Sequence, residues 1–289
     1  MRRRSVFFNT VIAVLMLMLC GCSVSGNGTS EESLPPAGEV REELKVYFFN
    51  AGKADASLVY NSKFAVLIDC GEKGFGKVIA DKLDDLGIKK LDMLIITHFD
   101  KDHVGGAAKV LKSVTVDRVI QSNCPKDSEE YREYTDVLSE KGITPLTLRE
   151  RMFVQFDSAD ITVDPPKRES YPKDASNNSS LITVVRCGKC SMLFAGDAQD
   201  DRMYEFMQSA KGGYDLLKVP YHGHWQKRLG EFMRFASPKI AVITSSDEMP
   251  EDQQTVSELK NLGAEVLLTR SAPVEITCDG SSVKTGTKT

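Results

Sequence analysis

The sequence predicts an α/β protein built in layers, and three observations predict it. Apolar runs of strand length end abruptly in His, Asp or Gly. Helical spacings alternate with these runs and stop at glycines. Hairpin patterns frame both ends of the region that can fold. Strand, helix, strand order of this kind is the signature of sheets covered by helices.

The 289 residues begin with a targeting pattern. Arg2, Arg3 and Arg4 precede an apolar stretch from Val6 to Leu19, broken by Asn9 and Thr10. That stretch is shorter than the ~20 residues of a spanning helix. Leu19-Cys20-Gly21-Cys22 matches a lipoprotein signal, so residues 1–21 are expected to be removed and Cys22 to carry lipid. The expectation is a bacterial lipoprotein held outside the cytoplasmic membrane, provided more than one acyl chain is added. Residues 22–43 are Ser, Gly, Glu and Pro with almost no apolar content, and they read as a tether. Residues 44–289 suit one domain.

Lys45 to Phe49 reads as a strand, and Ser57 to Tyr60 with Phe64 to Ile68 as a hairpin. Lys77 to Leu86 has helical spacing and stops at Gly87. Leu91 to Ile96 is an apolar run suited to a strand buried on both faces, and Ala107 to Leu111 is helical. Val116 to Ile120 reads as a strand and Glu129 to Glu140 as a mostly polar outer helix. Val154 to Val163 reads as a strand pair, followed by a polar loop to Ser176. Leu181 to Val185 and Met192 to Ala195 form a hairpin tipped by Cys187 and Cys190. Asp201 to Ser209 is helical, Leu216 to Val219 a strand, Ile240 to Thr244 a strand and Asp252 to Leu262 a helix. Val266 to Thr269 and a hairpin around Asp279-Gly280 close the chain. With Cys22 set aside, the mature chain has an odd set of thiols, so buried free cysteines are expected rather than a disulfide framework.

The chemistry gathers at strand ends. His98, Asp100, Asp102 and His103 follow Ile96 within a few residues, and alternation lets the first three converge. His103 joins them if the loop turns, which Gly105 and Gly106 allow. Two carboxylates ~4 Å apart repel by roughly 4 kcal/mol at an effective dielectric of about 20, and a divalent cation reverses that sign. The chain has four histidines, and the other two, His222 and His224, again follow an apolar strand. Met192 to Ala195 delivers Asp197 past Gly196 in the same way. Three strand ends carrying ligand-type residues read as one metal site.

His98-Phe99-Asp100-Lys101-Asp102-His103, Gly196-Asp197 and His222-Gly223 resemble the metallo-β-lactamase superfamily, whose usual motif is His-x-His-x-Asp-His. The ComEC-like branch also carries Asp at the second ligand position. Asn50 to Ala56 resembles its Asp-Val-Gly-Gln-Gly-Asp-Ala segment, Leu67-Ile68-Asp69-Cys70-Gly71 its Leu-Ile-Asp-x-Gly, and Asn177 to Leu181 its Asn-x-x-Ser-Leu. The likeness covers Leu44 to Gly286, without a multi-span membrane channel. It implies a four-layer αββα sandwich. It also implies two divalent ions, Zn²⁺ or Mn²⁺, held by His98, Asp100, Asp102, His103, His222 and a shared Asp197.

Asp69 is then expected behind a ligand histidine as its acceptor, with Asp55 close by. Where other branches place a third histidine, this chain has Asn177-Asn178-Ser179, so Asn178 or Ser179 is the expected substitute. The first metal position should then be looser, or suit a hard ion such as Mn²⁺. Tyr221 and His224 depart from the branch's His-His-Gly-Ser pattern and fall where a proton donor could face substrate. Trp225 is either a stacking platform or surface packing.

The implied activity is hydrolysis by metal-activated water, with Asp102 indispensable. Phosphodiesters are the leading substrate class, whether DNA, RNA or a cell-wall phosphodiester. Lactone, β-lactam or thioester hydrolysis and a binding module without turnover remain as alternatives. Charge opposes an extended nucleic-acid face. Removing Arg2, Arg3 and Arg4 leaves 34 basic against 41 acidic residues, a mature charge of −7. Lys101, Lys218, Lys227 and Arg228 are expected to supply a small basic patch.

Overall fold

The computed structural model describes residues 42–286. The expected signal peptide, the lipidated Cys22 and all but the last two residues of the expected tether lie outside them. Glu42, assigned to the tether by composition, is already part of the fold, because its carboxylate accepts from Ser62 N at 2.8 Å and Ser62 Oγ at 2.7 Å.

The strands form two large sheets. The first runs Val283–Thr285, Val274–Cys278, Leu44–Phe48, Ser57–Tyr60, Ala65–Ile68, Met93–Ile96, Val119–Gln121, Leu146–Thr147. The second runs Glu265–Leu268, Ile240–Ile243, Leu216–Lys218, Cys190–Phe194, Ile182–Cys187, Asp160–Asp164, Met152–Gln155. Each sheet joins an antiparallel hairpin half to a parallel half. Ala65–Ile68, Met93–Ile96 and Val119–Gln121 are parallel in one, and Cys190–Phe194 through Glu265–Leu268 are parallel in the other.

Alternation along the strands builds three apolar layers. Met93 and Ile95 join Val46, Phe48, Met192, Phe194 and Val242 between the sheets, where the Phe48 and Phe194 rings stack at 5.8 Å. Leu94 and Ile96 face the other way, onto helices Phe75–Asp85, Ala107–Ser113 and Glu129–Glu140. Leu193, Leu217 and Ala241 meet helices Asp200–Ser209, Leu229–Ala236 and Gln253–Asn261. The result is the expected αββα sandwich. Both faces of the central strands are buried, which is why they read as unbroken apolar runs.

Most elements fall where periodicity puts them. Glu129–Glu140 matches its expectation, capped by Ser128 Oγ on Tyr131 N at 3.1 Å and buried along Tyr134, Val137 and Leu138. Two expected strands are each broken by an aspartate. Lys90–Leu91 and Thr115–Val116 pair separately, and Asp92 and Asp117 mark the breaks. The helix Leu229–Ala236 and the short helix Ala175–Asn178, across the end of the expected polar loop, were not legible.

Cys70, Cys187, Cys190 and Cys278 are buried free thiols, and Cys124 is partly buried. Among the described residues no helix is long and apolar enough to cross a membrane.

Candidate metal centre

The site lies beyond the carboxyl ends of the parallel strands of both sheets, where open α/β sheets place ligands. Met93–Ile96 delivers Thr97 and His98, Ala65–Ile68 delivers Asp69, and Cys190–Phe194 delivers Asp197. Leu216–Lys218 leads to His222, and Ile240–Ile243 to Thr244. Leu181 N donates to Thr97 O at 2.9 Å and ties the two sheets together at this rim.

The turn after His98 differs from the expected glycine turn. The short helix Lys101–Val104 carries Asp102 and His103 inward, and Gly105 and Gly106 keep ordinary right-handed helical dihedrals. The glycines serve close approach instead: a Cβ on Gly106 would stand 2.1 Å from Cys70 O. On the opposite rim, Tyr221 and His222 both adopt left-handed backbone, with φ of 50° and 53°. Such dihedrals cost a non-glycine residue of order 1–3 kcal/mol and aim the His222 ring inward.

Three imidazoles are held in the same tautomer. The carboxylate of Asp69 can only accept, so His103 Nδ1 donates to it at 2.8 Å. Thr97 Oγ1 also donates to Asp69, at 2.7 Å, which leaves that hydroxyl to accept from His98 Nδ1 at 3.1 Å. Thr244 Oγ1 donates to Asp55 at 2.5 Å and accepts from His222 Nδ1 at 3.2 Å. In its neutral form each ring therefore carries its proton on Nδ1 and leaves Nε2 as a lone pair. All three Nε2 atoms are buried and lack hydrogen-bond partners among the described residues. Metal-ligating histidines are typically fixed this way by an acceptor behind the ring.

Donor atoms of Asp102, His103, Asp197 and His222 lie within 4.8 Å of one another, and all four residues are buried. Asp197 Oδ2 is 3.0 Å from His222 Nε2 and 3.3 Å from His103 Nε2, and Asp102 Oδ2 is 3.4 Å from His222 Nε2. An overlapping group, Asp55, Asp69 and His103, is consumed by the hydrogen bonds behind the rings.

Electrostatics favour added positive charge in this pocket. Burial is the largest influence and opposes the charged forms of His103 and His222, yet Asp197 together with Asp69 at His103, and with Asp102 and Asp55 at His222, outweighs it and raises both pKa values. Burial likewise opposes ionisation of Asp102 and Asp197, yet His222 and His103 hold both carboxyls below the usual range. His98, shut from solvent beside His103, is instead lowered to about 4. A pocket that draws protons onto two rings against burial suits a divalent cation, which would bind in their place.

His98 and Asp100 stand apart from the four-donor group. His98 Nε2 is 3.9 Å from Asp100 Oδ2, and Asp100 Oδ1 is taken by Lys126 at 2.6 Å and by Ser176. Asn178 and Ser179 do not replace the third histidine. Asn178 bonds Lys173 O and Arg202 N, and Ser179 Oγ donates to Ser176 O, because both sit in the turn ending Ala175–Asn178. Ser180 is the residue beside His98 Nδ1, at 3.4 Å.

Tyr221 and His224 are half-buried neighbours, their rings edge to face at 5.5 Å. Trp225 is partly buried and packs on the helical layer beside Gly230. The expected basic patch loses Lys218, which is buried and paired with Asp55, with Gly196 O at 3.1 Å.

Sequence reasoning missed Lys53, whose Nζ meets Asp102 Oδ2 at 3.0 Å, and Lys126, Thr97, Thr244 and Ser180. A signal existed for the two threonines. Ile96-Thr97 and Ile243-Thr244 each end an apolar strand with a hydroxyl.

A family model described as the metallo-beta-lactamase superfamily matches residues 50–245. The chain belongs to that superfamily. Within the superfamily, the chain is similar to ComEC-like competence proteins. It is 30% identical to ComE operon protein 3 of Bacillus subtilis (strain 168) over 170 residues, 58% of this chain and 22% of the relative. It is 26% identical to Competence protein ComA of Neisseria gonorrhoeae over 217 residues, 74% of this chain and 28% of the relative. The chain thus spans under a third of the length of these curated relatives. The metallo-beta-lactamase fold protein YhfI from Bacillus subtilis superposes with a TM-score of 0.55 at 13% identity, covering 85% of this chain and 100% of that one. That likeness speaks for the fold alone.

Proposed function

We propose that the protein is a metal-dependent hydrolase acting on phosphodiesters. One observation carries this reading: the locked tautomers turn the bare Nε2 atoms of His103 and His222 toward the carboxylates of Asp102 and Asp197 in one buried pocket. That donor set fits Zn²⁺ or Mn²⁺, and such an ion supplies the Lewis acidity that makes water a nucleophile near neutral pH.

The remaining roles belong to side chains around the pocket. Lys53, on Asp102 and partly exposed, offers its ammonium to an anionic substrate. Burial, reinforced by Asp197, raises the Tyr221 pKa and keeps its hydroxyl protonated as a donor to a leaving oxygen. Burial lowers the His224 pKa, so this ring stays neutral beside it. The relative named as a competence protein, ComA of Neisseria gonorrhoeae, favours a nucleic acid among phosphodiesters. The acidic mature chain favours short or single-stranded segments over an extended duplex. Lipid on Cys22 would anchor the enzyme outside the membrane.

Purified protein, stripped with chelator, should cleave bis-p-nitrophenyl phosphate and single-stranded DNA or RNA only when Mn²⁺ or Zn²⁺ is returned. Asp102→Ala should be inactive, and nitrocefin should stay intact. Nitrocefin cleavage would move the substrate class to β-lactams. Inactivity of the metal-loaded protein on every substrate would leave a binding module. Cys22→Ala should shift the protein from the membrane to the soluble fraction, and unchanged fractionation would refute the lipid anchor.

A further inference from the structure

The superfamily resemblance implies two ions, and the residues around the pocket do not fit the second. We infer that the pocket holds one dication, on Asp102, His103, Asp197 and His222, and that the Lys126 ammonium seated on Asp100 takes the place of another. This rests on the hydrolase reading only for the location of the site.

Three observations carry it. The first is the donor inventory. The four-donor group is complete, whereas the neighbouring position has the His98 imidazole, an Asp100 carboxylate with one oxygen already bonded, and otherwise only a share in Asp197. A catalytic zinc takes about three protein ligands, and a structural one about four. The side chains where a third histidine is absent, Asn178 and Ser179, are spent on backbone partners.

The second is the state of Asp100. Lys126 Nζ lies 2.6 Å from its Oδ1, and Ser176 Oγ donates to the same oxygen. A dication at that position would have to compete with an ammonium already in contact.

The third is charge. Asp55, Asp69, Asp100, Asp102 and Asp197 bring five negative charges to the pocket. Lys53, Lys126 and Lys218 bring three positive ones, each in contact with one of those carboxylates. The imbalance is two negative charges, which one dication neutralises and a second would overshoot. Buried charge that is left uncompensated is strongly disfavoured. His98 then keeps its Nε2 lone pair as an acceptor beside the ion instead of a ligand.

The test is a metal count that does not depend on activity. Full-length protein is saturated with Zn²⁺ or Mn²⁺, freed of loose ions by gel filtration and analysed by elemental mass spectrometry. About one equivalent per chain is expected, retained in Asp100→Asn and lost in Asp102→Asn. Lys126→Met, which frees Asp100, should admit a second equivalent. Two equivalents on the unaltered protein, or loss of the ion in Asp100→Asn, would overturn the one-ion site. A folded Lys126→Met protein still holding one equivalent would overturn the role given to Lys126. No bound metal at all would instead overturn the metal-centre reading, so the two failures are distinct.

Discussion

Thr244→Val tests the hydrogen-bond chain behind the metal pocket with the smallest change of shape. Thr244 is fully buried, and its hydroxyl accepts from His222 Nδ1 at 3.2 Å while donating to Asp55 at 2.5 Å. Valine removes both bonds. Asp55 stays compensated by Lys218, so no carboxylate is stranded. His222 Nδ1 loses its acceptor, because Asp55 Oδ1 is 3.6 Å away. The ring is then free to carry its proton on Nε2, the tautomer that cannot bind a cation. Loss of a partner behind a ligand histidine typically weakens metal binding 10- to 100-fold. That corresponds to roughly 1.4–2.8 kcal/mol, alongside a folding loss of about 1–3 kcal/mol from the unpaired polar group. Competition against a chromophoric chelator measures the first quantity, and denaturant unfolding of metal-free protein the second. Thr183→Val is the control, since Thr183 Oγ1 is buried without a hydrogen-bond partner among the described residues. It should leave metal affinity unchanged and stability equal or higher. Metal affinity of folded Thr244→Val within about twofold of the unaltered protein would refute the tautomer lock.

Other consequences follow from the same geometry. Arg202 is fully buried, with its guanidinium on Asp164 Oδ1 at 2.8 Å and on Ser180 O at 2.8 Å, so Arg202→Ala leaves buried acceptors without their donor while Arg151 keeps Asp164 Oδ2 paired at 2.6 Å. A loss of about 1–3 kcal/mol from the unpaired buried acceptors is expected in denaturant unfolding, and a loss below about 0.5 kcal/mol would contradict it. Metal affinity should rise with pH. In metal-free protein His103 and His222 have raised pKa values, so each holds a proton that the cation must displace. Their protonation stabilises the metal-free fold below about pH 6.5, the unfolded value, and that contribution is lost as pH rises through the folded pKa values. Calorimetry in buffers of different ionisation enthalpy should therefore detect proton release on binding near neutral pH, and pH-independent affinity would exclude it. Gly106→Ala should lower stability by driving its Cβ onto Cys70 O, although the backbone there is ordinary helix. A melting temperature equal to that of the unaltered protein would show that the two segments can separate freely.

Local pattern alone determined the order of elements and the strand ends that carry chemistry. Leu91 to Ile96 read as a buried strand because both its faces are covered, and His98, Asp102, His103, Asp197 and His222 stood out because ionisable groups rarely follow such strands without purpose. Periodicity also placed Glu129–Glu140, whose cap and apolar stripe are both local. It could not place Leu229–Ala236, which lies directly after the irregular turn of His222 to Arg228.

Only the tertiary structure decided which side chains serve the pocket. The Thr244 bond to Asp55 joins residues 189 apart, and Lys126 reaches Asp100 across 26. Lys218 looked like a surface cation and proved to be buried, because a strand hidden on both faces can end in lysine only where a carboxylate meets it. Hydrophobic spacing is written along the chain, residue against neighbour. Charge compensation and proton placement are settled between elements, after folding has brought them within a few ångströms.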